Sequence, residues 1–268
     1  MKIRAGYRIA YTSPHPTPMI LVLRVHPSRE PDLILPDDPA FDPRIELGEY
    51  RDGFGNLCGR IIAPAGLLTI ATEFLINDSG IPDDVHPDAR QHPLEQLPAD
   101  VLVYLLGSRY CETDRLLDTA WSLFANVSKG WPLVQAICDF VHDRLSFGYE
   151  HARPTRTAFD AFTEKRGVCR DFAHLAVTLC RCMNVPARYC TGYLGDIGVP
   201  SAAEPMDFSA WFEVYLGDRW YTFDARHNEP RVGRILMARG RDATDVALVT
   251  SFGPCTLSLF EVFTEEAR

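Results

Sequence analysis

The sequence lacks the features of a nucleic-acid-binding protein or a membrane protein. It carries a formal net charge of -9 over 268 residues and contains no basic run, so we expect neither a nucleic acid nor an anionic membrane as a partner. No stretch approaches the length and hydropathy of a membrane span, and residues 1–8 contain no signal-peptide core. We therefore expect a globular, cytoplasmic protein.

The cysteine spacing matches no zinc-binding pattern. Cys180 and Cys182 lie near Cys190 and His174 along the chain, but this spacing does not correspond to a known ligand arrangement. Without a secretory signal, the eight cysteines are predicted to be reduced thiols. We expect no metal and no other cofactor.

The first 81 residues have the alternating pattern of short β-strands. Lys2–Thr12 and Met19–Val25 alternate clearly, and further extended runs are found at Arg44–Tyr50, Leu57–Ile62 and Leu67–Leu75. Such strands without helical periods predict an antiparallel β-sandwich over residues 1–81. Residues 82–100 are rich in Pro, Asp and His and are predicted to be a linker to a core domain at 101–268.

The second half combines helices with strands, which predicts an α+β core. Helical periods are found over Arg115–Ala125, from Pro132 to Leu145, after Thr157 and from Cys169 to Met183. The runs that follow are extended. We expect Ile235–Arg239, Asp245–Phe252 and Leu257–Phe263 to complete an antiparallel core sheet.

Cys169 occupies a position that favours a reactive thiol. Gly167 ends the preceding segment, which places Cys169 in the first turn of a mostly buried helix. Unpaired N–H groups and the positive end of the helix dipole stabilise a thiolate there. The alternative is that Cys169 is a small buried hydrophobic residue at a helix start.

A hairpin is predicted after this helix. Phe208–Leu216 alternates, Gly217-Asp218 forms a two-residue turn, and Arg219–Asp224 returns. Counting back from the turn pairs residue 216 with 219 and residue 209 with 226. Ser209, Trp211 and Asp224 are therefore expected on one face.

The order of several motifs resembles that of the bacterial transglutaminase-like superfamily. The motifs are Gly167–His174, Val185–Tyr189, Gly192–Leu194, Ala210–Tyr215 and Trp220–Asp224. The β-rich first half and Ser108–Cys111 resemble the region that precedes the core in those proteins. The resemblance implies a papain-like core with a Cys–His–Asp triad, an acyl-thioester mechanism and a peptide or protein amide as substrate.

Carried across residue by residue, the resemblance matches Cys169 to the nucleophile and Asp224 to the carboxylate that orients the histidine. The histidine should precede Ala210-Trp211, but this sequence has Ser209 there. A hydroxyl does not hold a proton taken from a thiol near neutral pH, whereas an imidazole does. Position 209 therefore lacks the expected base.

Two other histidines, His174 and His227, are candidates for the missing base. His174 lies five residues after Cys169 on a helix, which turns it away from the thiol and predicts a structural role. His227 would face away from Asp224 on a straight strand, but a bend, favoured by Asn228, would return it to the cleft. Alternatively, Arg226 pairs with Asp224 as a simple surface ion pair.

Two functions remain open at the level of sequence. The first is a thiol enzyme, a peptidase, amidase or transglutaminase, that acts through Cys169. The second is a binding or scaffold protein on the same fold without turnover. The catalytic candidates are Cys169, Ser209, Asp224 and His227, and the candidates for substrate binding are Trp211, Tyr193 and Arg170.

Overall fold

The computed structural model describes residues 1–200 and 206–267. It confirms the predicted α+β class, with antiparallel sheets in a β-rich region and a core of helices packed on a sheet. The α-helices in the described residues are α1 (Thr113–Phe124), α2 (Trp131–Arg144), α3 (Ala158–Glu164) and α4 (Cys169–Cys182). The first seven strands are β1 (Lys2–Ser13), β2 (Thr17–Leu21), β3 (Leu33–Leu35), β4 (Ala40–Asp42), β5 (Gly48–Arg51), β6 (Leu57–Ala63) and β7 (Gly66–Asn77). The others are β8 (Ser146–Phe147), β9 (Arg166–Gly167), β10 (Ala187–Tyr193), β11 (Ser209–Leu216), β12 (Arg219–Phe223), β13 (Ile235–Gly240), β14 (Val249–Ser251) and β15 (Thr256–Glu266).

Two antiparallel sheets form the β-rich region. The first has the order β15-β1-β7-β3, with β4 also paired to β7, and the second has the order β14-β2-β6-β5. Their inward side chains share one apolar cluster, which includes Ile9 of β1, Met19 of β2 and Ile61 of β6. Tyr193 and Met237 from the core sheet join the same cluster, so the two regions share buried apolar surface.

The core sheet has the order β12-β11-β10-β13, and α4 packs against its inner face. Phe172 and Leu175 of α4 belong to the same buried cluster as Phe212 of β11. The predicted hairpin register is confirmed, since Leu216 pairs with Arg219 and Glu213 with Thr222. The alternation along β11 then places residues 210, 212 and 214 toward α4 and residues 209, 211 and 213 toward the other face.

The prediction that the last two strands complete the core sheet is wrong. Val249 of β14 pairs with Leu21 of β2, and β15 pairs with β1 along most of its length, for example Phe263 with Gly6. Alternation identifies a strand, but many pairing partners satisfy the same pattern. The C-terminal segment therefore belongs to the N-terminal sheets.

The predicted division at residues 81 and 101 stays a prediction. The segment between these residues is tied to the core by hydrogen bonds along its length. Asp83 accepts from the backbone N–H of Arg231 at 3.0 Å, and the carbonyl oxygen of Ala89 accepts from the N–H of Trp131 at 3.0 Å. This segment is thus held against the core by hydrogen bonds.

Candidate functional site

Cys169 is the first residue of α4, as the sequence predicted. The turn before it is tight, because a Cβ on Gly167 would lie 2.5 Å from the Cβ of Asp171. Asp171 caps the helix by accepting the N–H of Val168 at 2.9 Å, and Arg156 donates to the same carboxylate at 3.1 Å. These buried contacts fix the direction in which the Cys169 side chain leaves the helix.

The thiol lies beside the start of β11. Its Sγ is 4.0 Å from the carbonyl oxygen of Phe208, the residue before Ser209. Burial raises the pKa of the Cys169 thiol to about 11, and the neighbouring Asp207 carboxyl works in the same direction. Arg226 and the N–H of Ala210 act against this rise but do not overcome it. The sequence had predicted a lowered pKa, and the structure gives the opposite because desolvation of the thiolate is the largest effect.

Asp224 and His227 form a hydrogen-bonded pair. The chain bends after β12, and His227 Nδ1 lies 2.9 Å from Asp224 Oδ2. A carboxylate only accepts hydrogen bonds, so Nδ1 carries the proton and Nε2 is the basic nitrogen. The alternative prediction, a bend after Asp224 that brings His227 back towards the carboxylate, is therefore confirmed.

The turn that carries His227 is fixed from inside and from α2. Asp224 Oδ1 accepts the backbone N–H groups of Arg226 and His227 at 2.9 and 3.1 Å. Asn228 has the left-handed φ of 53° that asparagine tolerates, and its amide donates to Asp139 of α2 at 2.8 Å. His142 of α2 also lies 2.9 Å from the carbonyl oxygen of Arg226.

Asp224 is charged in the folded protein. Burial alone disfavours this charge, but Arg234 and the hydrogen bond from His227 hold the pKa of the Asp224 carboxyl well below its usual range. Arg234 Nη2 donates to Asp224 Oδ2 at 3.0 Å and is itself buried. The carboxylate therefore has two side-chain partners, the buried Arg234 guanidinium and the His227 imidazole, besides the two backbone N–H groups. The simple Arg226–Asp224 ion pair does not occur in the described residues.

Ser209 and His227 line the same cleft, which has a volume of about 620 Å³. Phe147 and Tyr149 form one wall of the cleft, and the guanidinium of Arg226 lies over the Phe147 ring at 3.7 Å. Residues 262–266 of β15 form another wall. These walls were not predicted, because they come from β8, the turn that follows it and a strand of another sheet.

The three candidates for substrate binding do not line this cleft. Tyr193 is fully buried, and its ring packs against Phe74 and Phe208. Trp211 is 2% exposed and packs with Cys190 and Leu236 on the outer face of the core sheet. Arg170 donates to the carbonyl oxygens of Arg153 and Pro154 in the loop before α3. Each is held by packing or backbone contacts away from the cleft.

His174 and the next three cysteines along the chain are buried and lie outside the cleft. His174 is fully buried, its Nε2 accepts from the N–H of Ala243 at 3.1 Å, and burial lowers its pKa to about 3. Cys180, Cys182 and Cys190 are buried. Within residues 1–200 and 206–267, no group of three or more His, Cys, Asp or Glu side chains is arranged to hold a metal ion. No helix in these ranges is long and apolar enough to cross a membrane.

Comparison with known proteins identifies the core. Residues 120–225 match the family model named "Transglutaminase-like superfamily". The crystal structure of a proposed cysteine protease from Cytophaga hutchinsonii has a TM-score of 0.85 and 29% sequence identity, covering 99% of this chain and 90% of that one.

Two mycobacterial relatives are described as uncharacterised proteins. The one from Mycobacterium leprae is 38% identical over 95 residues, which cover 34% of this chain and 33% of the relative. One from Mycobacterium tuberculosis is 25% identical over 221 residues, which cover 73% of this chain and 68% of the relative. The chain thus spans only about a third of the first relative. Residues 120–225 are thus similar to the transglutaminase-like superfamily, and nearly the whole chain is similar in fold to the Cytophaga protein.

Proposed function

We propose that the protein is a thiol-dependent enzyme that acts on peptide amide bonds, with Cys169 as the nucleophile and the Asp224–His227 pair as the base. The observation that carries this proposal is the 2.9 Å contact between His227 Nδ1 and Asp224 Oδ2 at the wall of the cleft shared with Ser209. A carboxylate on Nδ1 and a free Nε2 are the arrangement that a triad base requires. His227 thus supplies the imidazole that position 209 lacks.

The chemistry follows from these groups. His227 Nε2 takes the proton from the Cys169 thiol as the sulfur attacks the amide carbonyl carbon, and the imidazolium then gives that proton to the departing amine. An acyl-thioester on Cys169 remains. Water or an amine then attacks the thioester carbonyl carbon while His227 takes its proton. The C–S bond breaks, the imidazolium returns the proton to the Cys169 sulfur, and the product is an acid or a new amide. The positive end of the α4 helix dipole, at which Cys169 lies, stabilises the oxyanion in both steps.

The raised pKa of Cys169 makes the base necessary. A thiol with a pKa of about 11 is almost entirely neutral at pH 7, so the resting protein holds little thiolate. Arg226 stabilises the negative charge when it forms, since its guanidinium lowers the pKa of this thiol. Turnover therefore depends on proton transfer during the attack rather than on a preformed ion pair.

A second candidate function, a binding protein without turnover, is favoured by one observation. Among the described residues, no imidazole hydrogen-bonds to the Cys169 thiol, whose contact is the carbonyl oxygen of Phe208. Binding of peptides without any covalent step would follow if His227 did not reach the sulfur. The two candidates therefore differ in whether an acyl group becomes attached to Cys169.

Trapping the acyl-enzyme tests the proposal. The protein is mixed with a peptide 4-nitroanilide, quenched in acid and digested, and acyl adducts are located by mass spectrometry. We expect the adduct on Cys169 and not on Cys255, the other cysteine that is not buried. Methylamine in the mixture distinguishes transfer from hydrolysis through the product that it forms. No adduct and no released nitroaniline, with peptide still bound, would favour the binding protein.

A further inference from the structure

One wall of the cleft carries a cation beside the nucleophile. Arg226 lines the cleft, is only half-buried, and directly precedes His227. Burial raises the pKa of the Cys169 thiol, and the Arg226 guanidinium acts against this rise, which requires the two side chains to be close. A ligand that reaches the thiol through this cleft therefore comes close to Arg226.

The position of Arg226 is fixed from two sides. Its backbone N–H donates to Asp224 Oδ1 at 2.9 Å, and its carbonyl oxygen lies 2.9 Å from His142 Nδ1. Its guanidinium stacks on the Phe147 ring, with the central carbon 3.7 Å from the ring centroid. A stacked guanidinium keeps its N–H donors in its own plane, along edges that the ring does not cover. The backbone and the ring thus hold the N–H donors of Arg226 in place at the cleft.

Tyr149 places a second donor beside Arg226. Its ring packs edge-on against Phe147 at 5.3 Å between centroids, and it also lines the cleft. Burial raises the pKa of the Tyr149 phenol, and Arg226 acts against this rise, so the phenol oxygen lies near the guanidinium. Tyr149 is 38% exposed, so a ligand in the cleft reaches this side chain. A guanidinium and a phenol O–H together suit a carboxylate, which accepts hydrogen bonds through both of its oxygens.

The carboxylates of the protein leave Arg226 without an ion pair. Among the described residues, no carboxylate oxygen lies within salt-bridge distance of its guanidinium. Four carboxylates line the same cleft, and they are Asp196, Asp207, Glu265 and Glu266. Burial raises the pKa of the Asp207 carboxyl and Arg226 opposes this rise, but the hydrogen bond of this carboxyl is to the N–H of Phe208, at 2.6 Å. Glu265 accepts from Arg4 at 2.7 Å. The donors of Arg226 thus remain available to a ligand.

We propose that Arg226, together with Tyr149, binds a carboxylate of the peptide substrate next to the amide bond that Cys169 attacks. The substrate class is therefore peptides with an acidic side chain or a free C-terminal carboxylate close to that bond. This inference rests on the proposed function for the reaction. A bound carboxylate offsets part of the Arg226 charge, so formation of the thiolate then depends on His227. The formal net charge of -9 repels anions in general, so a preference for acidic peptides has to come from this local site.

Binding to the Cys169→Ala protein tests the inference without turnover. The probes are N-acetylated hexapeptides of alanine and glycine with one glutamate placed at each position in turn, and each has a glutamine counterpart. Each peptide is made with a C-terminal carboxylate and with a C-terminal amide. Binding is measured by isothermal titration calorimetry.

We expect an acidic peptide to bind about tenfold more tightly than its neutral counterpart, because hydrogen bonds to charged groups are the stronger ones. The glutamate series and the C-terminal pairs show which of the two carboxylates is bound. Equal binding by acidic and neutral peptides at every position, or no binding by any peptide, would overturn the proposal.

Three variants in the same background assign the preference to Arg226. Arg226→Gln removes the charge and is expected to abolish the preference for acidic peptides. Tyr149→Phe loses only the hydroxyl group and is expected to reduce the preference about threefold. Arg166→Gln is the matched control, since the Arg166 side chain is 55% exposed on β9, beside β8, and does not line the cleft. We expect the control to keep the preference within about twofold.

An equal loss of the preference in the Arg226 and Arg166 variants would mean a general effect of charge and would contradict the site. If Arg226→Gln does not fold, Tyr149→Phe decides, because it keeps the aromatic ring and the side chain is exposed. An unchanged preference in Tyr149→Phe then contradicts the site.

These results are independent of the proposed chemistry. A preference for acidic peptides with no acyl adduct on Cys169 would retain the carboxylate site and reject the enzyme. An adduct with no such preference would retain the enzyme and reject the carboxylate site.

Discussion

Position 209 and position 227 lie on opposite sides of one hairpin and have different surroundings. Ser209 begins β11, is 8% exposed, and its carbonyl oxygen accepts from the Thr191 hydroxyl at 3.1 Å. His227 lies in a turn that Asp224 and α2 hold by side-chain hydrogen bonds. The strand position is fixed by its ladder, and the turn position is fixed by its side chains.

Under the proposed function, the two positions are alternative places for the base. The confirmed register ends at the Phe212–Phe223 pair and the chain bends beyond it, so His227 reaches the cleft from a turn and not from a ladder position. The Asp224 carboxylate is hydrogen-bonded to the imidazole at position 227. We predict that a histidine at position 209 would use the same carboxylate.

Replacing the turn histidine has the largest expected effect. His227→Ala removes the imidazole on Asp224, and loss of a general base commonly costs about 10²–10⁴ in rate. We expect a loss of this size in kcat/KM on a peptide 4-nitroanilide. His86→Ala is the matched control, since His86 lies far along the chain at the surface and is predicted to change nothing. Unchanged turnover in His227→Ala would remove His227 from the mechanism.

Moving the base back across the hairpin sharpens the comparison. Ser209→His alone is expected to gain little while His227 is present. In the His227→Ala background, we expect Ser209→His to restore turnover by about 10-fold or more, since an imidazole at either position uses Asp224. The measurement is kcat/KM for the four combinations of the two changes. Failure to rescue would mean that Asp224 does not orient an imidazole at position 209.

The resting thiol provides a test by pH. With a pKa of about 11, Cys169 should react with iodoacetamide about 10² times more slowly at pH 7.5 than a short cysteine peptide with a pKa of ~8.5. The rate should continue to rise up to about pH 11, because only the thiolate reacts. The rate is measured at each pH from the extent of labelling at Cys169, which is read by mass spectrometry. A plateau below pH 8 would show a preformed thiolate instead.

The support of the turn has the smallest expected effect. Asn228→Gly keeps the left-handed φ but loses the amide contacts with α2, whereas Asn228→Ala also strains the backbone by about 1–2 kcal/mol. We expect kcat to fall less in the glycine variant than in the alanine variant, with KM unchanged in both. A change in KM alone would mean that Asn228 acts on the substrate and not on His227.

Local patterns in the sequence predicted the elements near the chemistry. The helix that begins at Cys169 and the register of the hairpin follow from periodicity and turn residues, and both are present. The pKa of Cys169 did not follow, because its direction depends on burial by residues distant in sequence. The same holds for Tyr193, whose motif is recognisable but whose side chain is covered by Phe74 of β7.

The walls of the cleft could not be predicted from local patterns either, because they depend on contacts between distant residues. β15 reads as a strand, but its pairing with β1 joins residues more than 240 positions apart, such as Tyr7 and Val262. Arg234 gave no signal as a partner of Asp224, since an arginine near a strand start is common. Contacts of this kind are set by the whole fold.

The pairing of β15 with β1 has a consequence for synthesis. Domains assemble as the chain leaves the ribosome, and β15 emerges after residues 1–255. Until then β1 has only β7 beside it, and the cleft lacks the wall formed by Val262–Glu266. Pairing over such a sequence separation is slow, because the intervening loop must be closed first. The cleft that Ser209 and His227 line is therefore formed only after β15 has been synthesised and has paired with β1.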